Sequence, residues 1–257
     1  MNAHGKIAVT GATGRVGRHT VELLEADGHD VVPISRSGGV DVVTGAGLAD
    51  ALAGVECVID AATGPSPDQR AATDFFTASA RNLKEAGERA GVQRIVVVSI
   101  IGCDRFAGGY NAAKVVQERA LLSGPIPVRV LRAAQFHEFV PQLVEWGRRG
   151  DVYHVPEFRT QPVAARTVAE ALAELAVDGG PEYSEIAGPR AESLVELGTL
   201  LAAHRGDAAR VERVIDPGDP DAELYASGGA LPGPGAMLAG PTFEEWLESA
   251  QLDLQRA

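Results

Sequence analysis

Cysteine is scarce in this chain of 257 residues: Cys57 and Cys103 are the only two. Two thiols beside apolar runs build no disulfide scaffold, so reduced, partly buried cysteines are expected. Long hydrophobic runs are missing as well. The longest, residues 95–101, is broken by Ser99 and falls far short of the roughly 18–20 residues a membrane span needs. The N-terminus has no basic segment leading into an apolar core and a small-residue cleavage site, so a cytoplasmic protein is expected. Positive charge is short too. The formal net charge is −12, and the whole imbalance falls in residues 151–257, which hold seven arginines, no lysine and 19 acidic residues; residues 1–150 hold 16 of each sign. Nucleic acid and anionic membranes would repel such a chain, and neither is expected as a partner. The acidic half reads as a solvated, solubilising surface. His4, His19, His29, His137, His154 and His204 lack ligand spacing, so no metal site is expected. No Gly-x-Ser-x-Gly elbow supports a hydrolase.

What is present is alternation. Apolar strand patterns at residues 6–9, 30–35, 56–62, 94–101 and 128–131 alternate with helical patterns at 15–27, 48–52, 68–90 and 111–122. The run RIVVVSII at residues 94–101 has the unbroken apolar, mostly β-branched character of a strand buried on both faces. Pro33 inside the second strand implies a position whose N–H the sheet does not need, or an edge, and Gly91 is placed to close the long helix. The fold class is therefore α/β, a doubly wound parallel sheet built from right-handed βαβ units. Beyond residue 136 the rhythm changes, with helices expected at 137–149 and 167–177 and strands near 152–155 and 183–186. Thr167 with Glu170, and Thr242 with Glu245, fit the capping box and are expected to open helices. The Gly/Pro-rich residues 226–240 are expected to be irregular, as a surface connection or a lid.

The segment Thr10-Gly-Ala-Thr-Gly-Arg-Val-Gly17 follows a strand and opens a helix, the context a dinucleotide fingerprint requires. Gly11 allows the tight turn, Gly14 lets backbone approach a pyrophosphate, and Gly17 lets the helix pack on the sheet. Thr13, Arg15 and Val16 complete a cradle at the positive end of that helix. At the end of the second strand, where an acidic residue would hold the 2′-hydroxyl of NAD, the chain has Ser35-Arg36-Ser37. A guanidinium flanked by hydroxyls suits a 2′-phosphate, so NADP(H) is the expected cofactor. Ala62, Thr63 and Gly64 end the third strand and are expected to line it.

These residues carry a resemblance. GATGRVG, Asn82 in the long helix before AGVQRIVVVS, and Tyr110-x-x-x-Lys114 resemble a short-chain dehydrogenase/reductase. QPVA at residues 161–164 and PTFEEWL at 241–247 are similar to its atypical NmrA-like, NAD(P)H-binding branch, and the resemblance runs along essentially the whole chain. It implies a Rossmann core over residues 1–136 and a smaller substrate-binding portion over 137–257, interleaved with the core as a cap. It also implies that Tyr110 donates a proton to a substrate carbonyl, that Lys114 holds the nicotinamide ribose and favours the phenolate, and that Ser99 orients the carbonyl oxygen. If Ser99 points into the core, Tyr110 and Lys114 carry the chemistry alone. Gln135, Phe136 and His137 fall where relatives place residues beside nicotinamide and substrate.

The activity so implied is an NADPH-dependent reduction of a small ketone, enone or quinone. Two alternatives are an NADP-binding regulator without turnover and a nucleotide-sugar epimerase or dehydratase. An intact Tyr/Lys pair argues against the first, and the lysine-free, acidic second half against the second. Phe139, Leu143 and Trp146 are placed either to line a pocket for a neutral ring or to pack the core. A monomer or small homo-oligomer is expected.

Overall fold

The computed structural model describes residues 5–216 and 218–256, with side chains as far as residue 249. The N-terminal half delivers strands and helices in strict alternation: β1 (Ile7–Thr10), α1 (Arg15–Ala26), β2 (Val31–Ile34), α2 (Leu48–Ala51), β3 (Cys57–Asp60), α3 (Gln69–Ala90), β4 (Arg94–Ile100), α4 (Gly109–Leu122) and β5 (Val128–Ala133). Then follow α5 (Val140–Trp146), β6 (Arg148–Arg149), β7 (Val152–Pro156), β8 (Arg159–Thr160), α6 (Ala165–Val177) and β9 (Tyr183–Ala187). The chain closes with β10 (Glu192–Ser193), α7 (Leu194–Arg205), β11 (Arg210–Val214), α8 (Ala222–Ser227), β12 (Met237–Leu238) and α9 (Phe243–Arg256).

Seven strands pair in parallel in the order β12-β9-β5-β4-β3-β1-β2. β2 lies at the edge, so the N–H that Pro33 lacks costs the sheet no ladder bond. The apolar strands are buried from both sides because helices cover both faces. Val96, Val98 and Leu131 pack under α1 and α6 through Leu24, Val168 and Leu172. Val97, Ile95 and Val130 pack under α2, α3 and α4 through Leu48, Leu83 and Leu121. The winding reverses between β1 and β3, so the crevice beyond the carboxyl ends of those strands is where such a sheet binds ligands. A separate cluster holds Val140, Val144, Tyr153, Leu197, Leu201 and Phe243 around the three-stranded sheet β11-β7-β6.

Three expectations are corrected. The helix expected at 137–149 is a 3-10 turn at His137–Phe139 and then α5, which ends at Gly147; there the backbone turns into β6, and a Cβ on Gly147 would lie 1.9 Å from the His154 carbonyl oxygen. The helix expected to open at Thr167 starts earlier, at Ala165, because Glu138 reaches across and accepts from Ala165 N with both oxygens at 3.1 Å. That carboxylate does from outside what a local cap would do, and Thr167 is buried inside the helix. The stretch 226–240 is not wholly irregular: Met237 and Leu238 form β12, pairing with Ile186 and Ala187 as the outermost strand. The Thr242 capping box forms as expected, with Thr242 N donating to Glu245 at 2.8 Å and Glu245 N to Thr242 Oγ1 at 3.3 Å.

Candidate active site

The glycine-rich turn is built by close approach of backbone to backbone. Gly11 adopts φ +65°, and a Cβ there would sit 2.6 Å from the Ala61 carbonyl oxygen. A Cβ on Gly17 would lie 2.1 Å from the Gly11 carbonyl oxygen, so the first turn of α1 can press onto the loop only without a side chain. Gly14 caps α1 with extended backbone, Val16 is buried beneath, and no acidic residue occupies the first turn. The free N–H groups of that turn face the crevice end of β1, an arrangement that fits a pyrophosphate. Thr13 and Arg15 are exposed at its lip. Arg15 lies 5.5 Å from the Phe139 ring centroid and donates to Gln142 at 3.3 Å, which ties the lip to the start of α5.

The segment after β2 folds into a short capped turn. Ser35 caps a 3-10 turn over Arg36–Gly38, accepting from Gly38 N at 3.2 Å, and its hydroxyl lies 3.1 Å from that of Ser37. Arg36 is exposed and, among the described residues, has no carboxylate partner. Ala12 N donates to Ile34 O at 3.2 Å, which brings this turn against the glycine loop. At the end of β3, Ala62 is buried while Thr63 is exposed and Gly64 half-buried against Phe75. Gln135, just past β5, is half-buried, and its carbonyl accepts from Val163 N at 2.9 Å.

Tyr110 and Lys114 stand one turn apart in the first half of α4. The Tyr110 ring meets Phe76 edge-on at 5.6 Å, and the Lys114 ammonium lies 4.6 Å from the centroid of the same ring. Phe76 is thus the wall that both side chains share. Lys114 Nζ donates to Val98 O at 2.7 Å and to Gln117 Oε1. Burial pulls its pKa down to about 8, with Asp60, Glu118 and Cys103 opposing. Burial, with Asp60 second, pushes the Tyr110 phenol up to about 12. This is the opposite direction to the lowering expected from the neighbouring ammonium.

Ser99 is buried at the end of β4, its hydroxyl 3.9 Å from Cys103 Sγ. It lies opposite Arg132 in the β4–β5 register, and Arg132 forms a fork on Glu118 (2.7 and 3.0 Å) with a third bond to Asp104 at 3.0 Å. Among the described residues no hydrogen bond joins Ser99 to Tyr110; the serine belongs to the Cys103–Glu118–Arg132 cluster. His137 is fully buried between Phe243 and Trp246, with Nε2 3.0 Å from Pro241 O, and burial lowers its pKa to about 4. It pins α9 to the core. Asn82 donates to the carbonyls of Val42 (2.9 Å) and Val43 (2.7 Å), fixing the loop after β2. Of the pocket candidates, Leu143 packs into the α5–α7 cluster, Phe139 meets Trp146 edge-on, and Trp146 is 53% exposed.

Sequence reasoning missed Asp60, Gln117 and Glu118. All three are buried polar side chains, at 1%, 1% and 3% exposure, gathered under the Tyr110–Lys114 pair. Asp60 ends an apolar strand and Gln117 lies three residues past the lysine, which were the available signals. The 219–231 region, missed as an organised element, clamps the loop leading to Tyr110. Asp221 accepts from Ala107 N at 3.0 Å, Asn111 donates to the Tyr225 hydroxyl at 2.7 Å, and the Phe106 and Tyr225 rings stack at 4.3 Å. Among the described residues no group of His, Cys, Asp or Glu could hold a metal, and no helix is long and apolar enough to cross a membrane. His4 lies outside the described residues.

A parallel doubly wound sheet, a glycine-rich turn at its switch point and a cation after β2 define a Rossmann-type dinucleotide-binding protein. The chain belongs to the NAD(P)H-binding family, whose profile matches residues 11–178. L-arabinose 1-dehydrogenase (NAD(P)(+)) of Haloferax volcanii is 37% identical over 103 residues, which span 37% of this chain and 40% of that protein. The full architecture is shared with the NAD-dependent NDP-hexosamine 5,6-dehydratase TunA of tunicamycin biosynthesis (TM-score 0.72, 20% identity, 98% of each chain). It is also shared with the NADPH-dependent quinone oxidoreductase QOR2 of Escherichia coli in its NADPH complex (TM-score 0.67, 21% identity, 95% of this chain and 99% of that one). These two establish the fold that the sequence pattern implies.

Proposed function

We propose that the protein is an NADPH-dependent reductase of a small, neutral carbonyl or quinone substrate, with Tyr110 as proton donor. The observation that carries this reading is the Tyr110–Lys114 pair at the crevice end of the sheet, one helical turn apart against the shared wall of Phe76. NADPH, when bound, supplies the hydride. Tyr110 passes its proton to the substrate oxygen as that oxygen gains charge, and the resulting phenolate is stabilised by the Lys114 ammonium one turn away. Lys114 spends two of its three N–H donors on Val98 O and Gln117 Oε1, leaving the third for a ribose hydroxyl. Ser99, turned toward Cys103, takes no part, and the chemistry rests on Tyr110 and Lys114.

The preference for NADPH rests on Arg36, an exposed guanidinium without a carboxylate partner, flanked by Ser35 and Ser37 beside the glycine loop. The cofactor contacts are assigned to Gly11, Thr13, Gly14, Arg15, Val16 and Gly17, with Ala62, Thr63, Gly64 and Gln135 along its length. Residues 137–257 supply the substrate side. Their charge disfavours a diphosphate-bearing substrate, which is why reduction is preferred to nucleotide-sugar chemistry. The test is NADPH oxidation by the purified protein against a panel of ketones, enones and quinones, with Tyr110→Phe alongside. Turnover that Tyr110→Phe abolishes supports the proposal; tight NADPH binding with no turnover anywhere supports the regulator instead.

A further inference from the structure

Beneath the Tyr110–Lys114 pair runs a chain of buried polar contacts from the glycine-rich turn to the lysine. Thr10 Oγ1 donates to Asp60 Oδ1 at 2.5 Å, and Ala62 N donates to the same oxygen at 3.3 Å. Gln117 Nε2 donates to Asp60 Oδ2 at 2.8 Å, and Lys114 Nζ donates to Gln117 Oε1. Thr10, Asp60, Gln117 and Lys114 are all at most 4% exposed. The amide is the informative link. A carboxylate only accepts and an ammonium only donates, so a single orientation of Gln117 satisfies both neighbours. Turned over, it would set its NH2 against the ammonium and its carbonyl against the carboxylate, replacing two charge-assisted bonds with two repulsions in a low-dielectric interior.

We propose that Asp60 and Gln117 are positioning residues for Lys114: Asp60 fixes the polarity of the Gln117 amide, and the amide oxygen so presented holds the buried lysine charged and in place for the cofactor. Three other titratable groups face Lys114. Glu118 is occupied by the two-pronged contact from Arg132, and burial keeps the Cys103 thiol neutral, at about 11. Tyr110, across Phe76, is likewise neutral. Asp60 is the leading group that favours the lysine's charge, ahead of Glu118, and it is the one joined to the ammonium through the Gln117 amide. The consequence for cofactor binding rests on the function proposed above; the link between Asp60 and Lys114 does not, and it is tested on the protein alone.

The chain has three lysines, Lys6, Lys84 and Lys114. Lys6 and Lys84 are surface side chains bonded to Ala53 O and Ser123 Oγ, so lysine labelled at Cε gives three NMR signals with two internal references. The Lys114 signal is expected to titrate near 8 in the native protein. In Asp60→Asn, the new side-chain oxygen still accepts from Thr10 and Ala62, but its NH2 meets Gln117 and turns the amide. The Lys114 midpoint then falls by about one unit. Gln117→Met, which fills the space without an acceptor, moves the midpoint in the same direction, and the double variant adds little because both act through one path. A midpoint that stays put in either variant overturns the proposal, so one folded variant suffices. In a second arm, NADPH affinity of Asp60→Asn at pH 8 falls about fivefold and returns to near native at pH 6, where Lys114 is charged in both proteins. A loss equal at the two pH values is the signature of mere structural damage and also overturns it. If the protein binds no NADPH, the reductase reading fails while the lysine titration still decides this one.

Discussion

Arg36→Ala isolates the basis for cofactor choice. The guanidinium is exposed and, among the described residues, bonded to no carboxylate, so removing it breaks nothing within the protein. Ser35 would still cap the turn through Gly38 N, and the Ile34–Ala12 contact with the glycine loop involves backbone alone. A hydrogen bond to a charged group contributes a net of about 1.5–3 kcal/mol, and exposure to solvent places this site toward the low end. About 2 kcal/mol corresponds to roughly a 30-fold rise in the Kd for NADPH. NADH has no 2′-phosphate, so its Kd should change by less than about threefold. Fluorescence titration of both nucleotides with native protein and variant measures the two ratios. The NADPH deficit should also shrink as salt is raised, because the lost contact is an exposed ionic one. Equal losses for the two nucleotides would refute the 2′-phosphate argument and leave Arg36 as a surface residue.

Two further predictions concern the framework. Gly102 has φ +72°, and a Cβ there would lie 2.4 Å from the Gly229 carbonyl oxygen. Gly102→Ala should therefore lift the α8 region off the loop leading to Tyr110 and cost about 1–3 kcal/mol; new proteolytic cleavage within residues 219–232 checks it, and an unchanged digest contradicts it. His137 is neutral in the fold, its pKa lowered from 6.5 to about 4. The unfolded chain gains that proton as pH falls below 6.5 and the folded chain does not until about 4. The fold should thus lose on the order of 3 kcal/mol across that window, and none of it above pH 7. Urea titrations of native protein and His137→Gln at pH 7 and pH 4.5 measure the difference; an equal acid sensitivity in the two proteins contradicts it.

Much of the architecture was legible because one-dimensional signals sufficed for it. The run at residues 94–101 reads as a strand covered on both faces, Gly91 as the cap that ends a helix, and Pro33 as a residue whose missing N–H the sheet can spare; the structure has all three, with Gly91 in a left-handed turn and β2 at the edge. What escaped was set by partners distant in sequence. The start of α6 depends on Glu138, 27 positions earlier, and Gln117 is buried by a bond to Asp60, 57 positions away. A two-residue strand such as β12 has no periodicity to read and exists because β9 offers it an edge. Ser193 with Glu196 at the head of α7 is a capping box that was readable, the same motif that correctly located α9. Ser99 was rightly placed at the end of β4, but the direction of its hydroxyl depended on Cys103 four residues on, in the turn after the strand.

The central claim is proton donation by Tyr110 to a reduced substrate. Single-turnover oxidation of bound NADPH, in native protein and Tyr110→Phe with any substrate that the panel identifies, tests it most directly. Phe keeps the ring against Phe76 and removes only the hydroxyl, so NADPH affinity should be unchanged while the oxidation rate falls by about 100- to 10,000-fold. A variant that oxidises NADPH at the native rate would place the proton donor elsewhere and contradict the account.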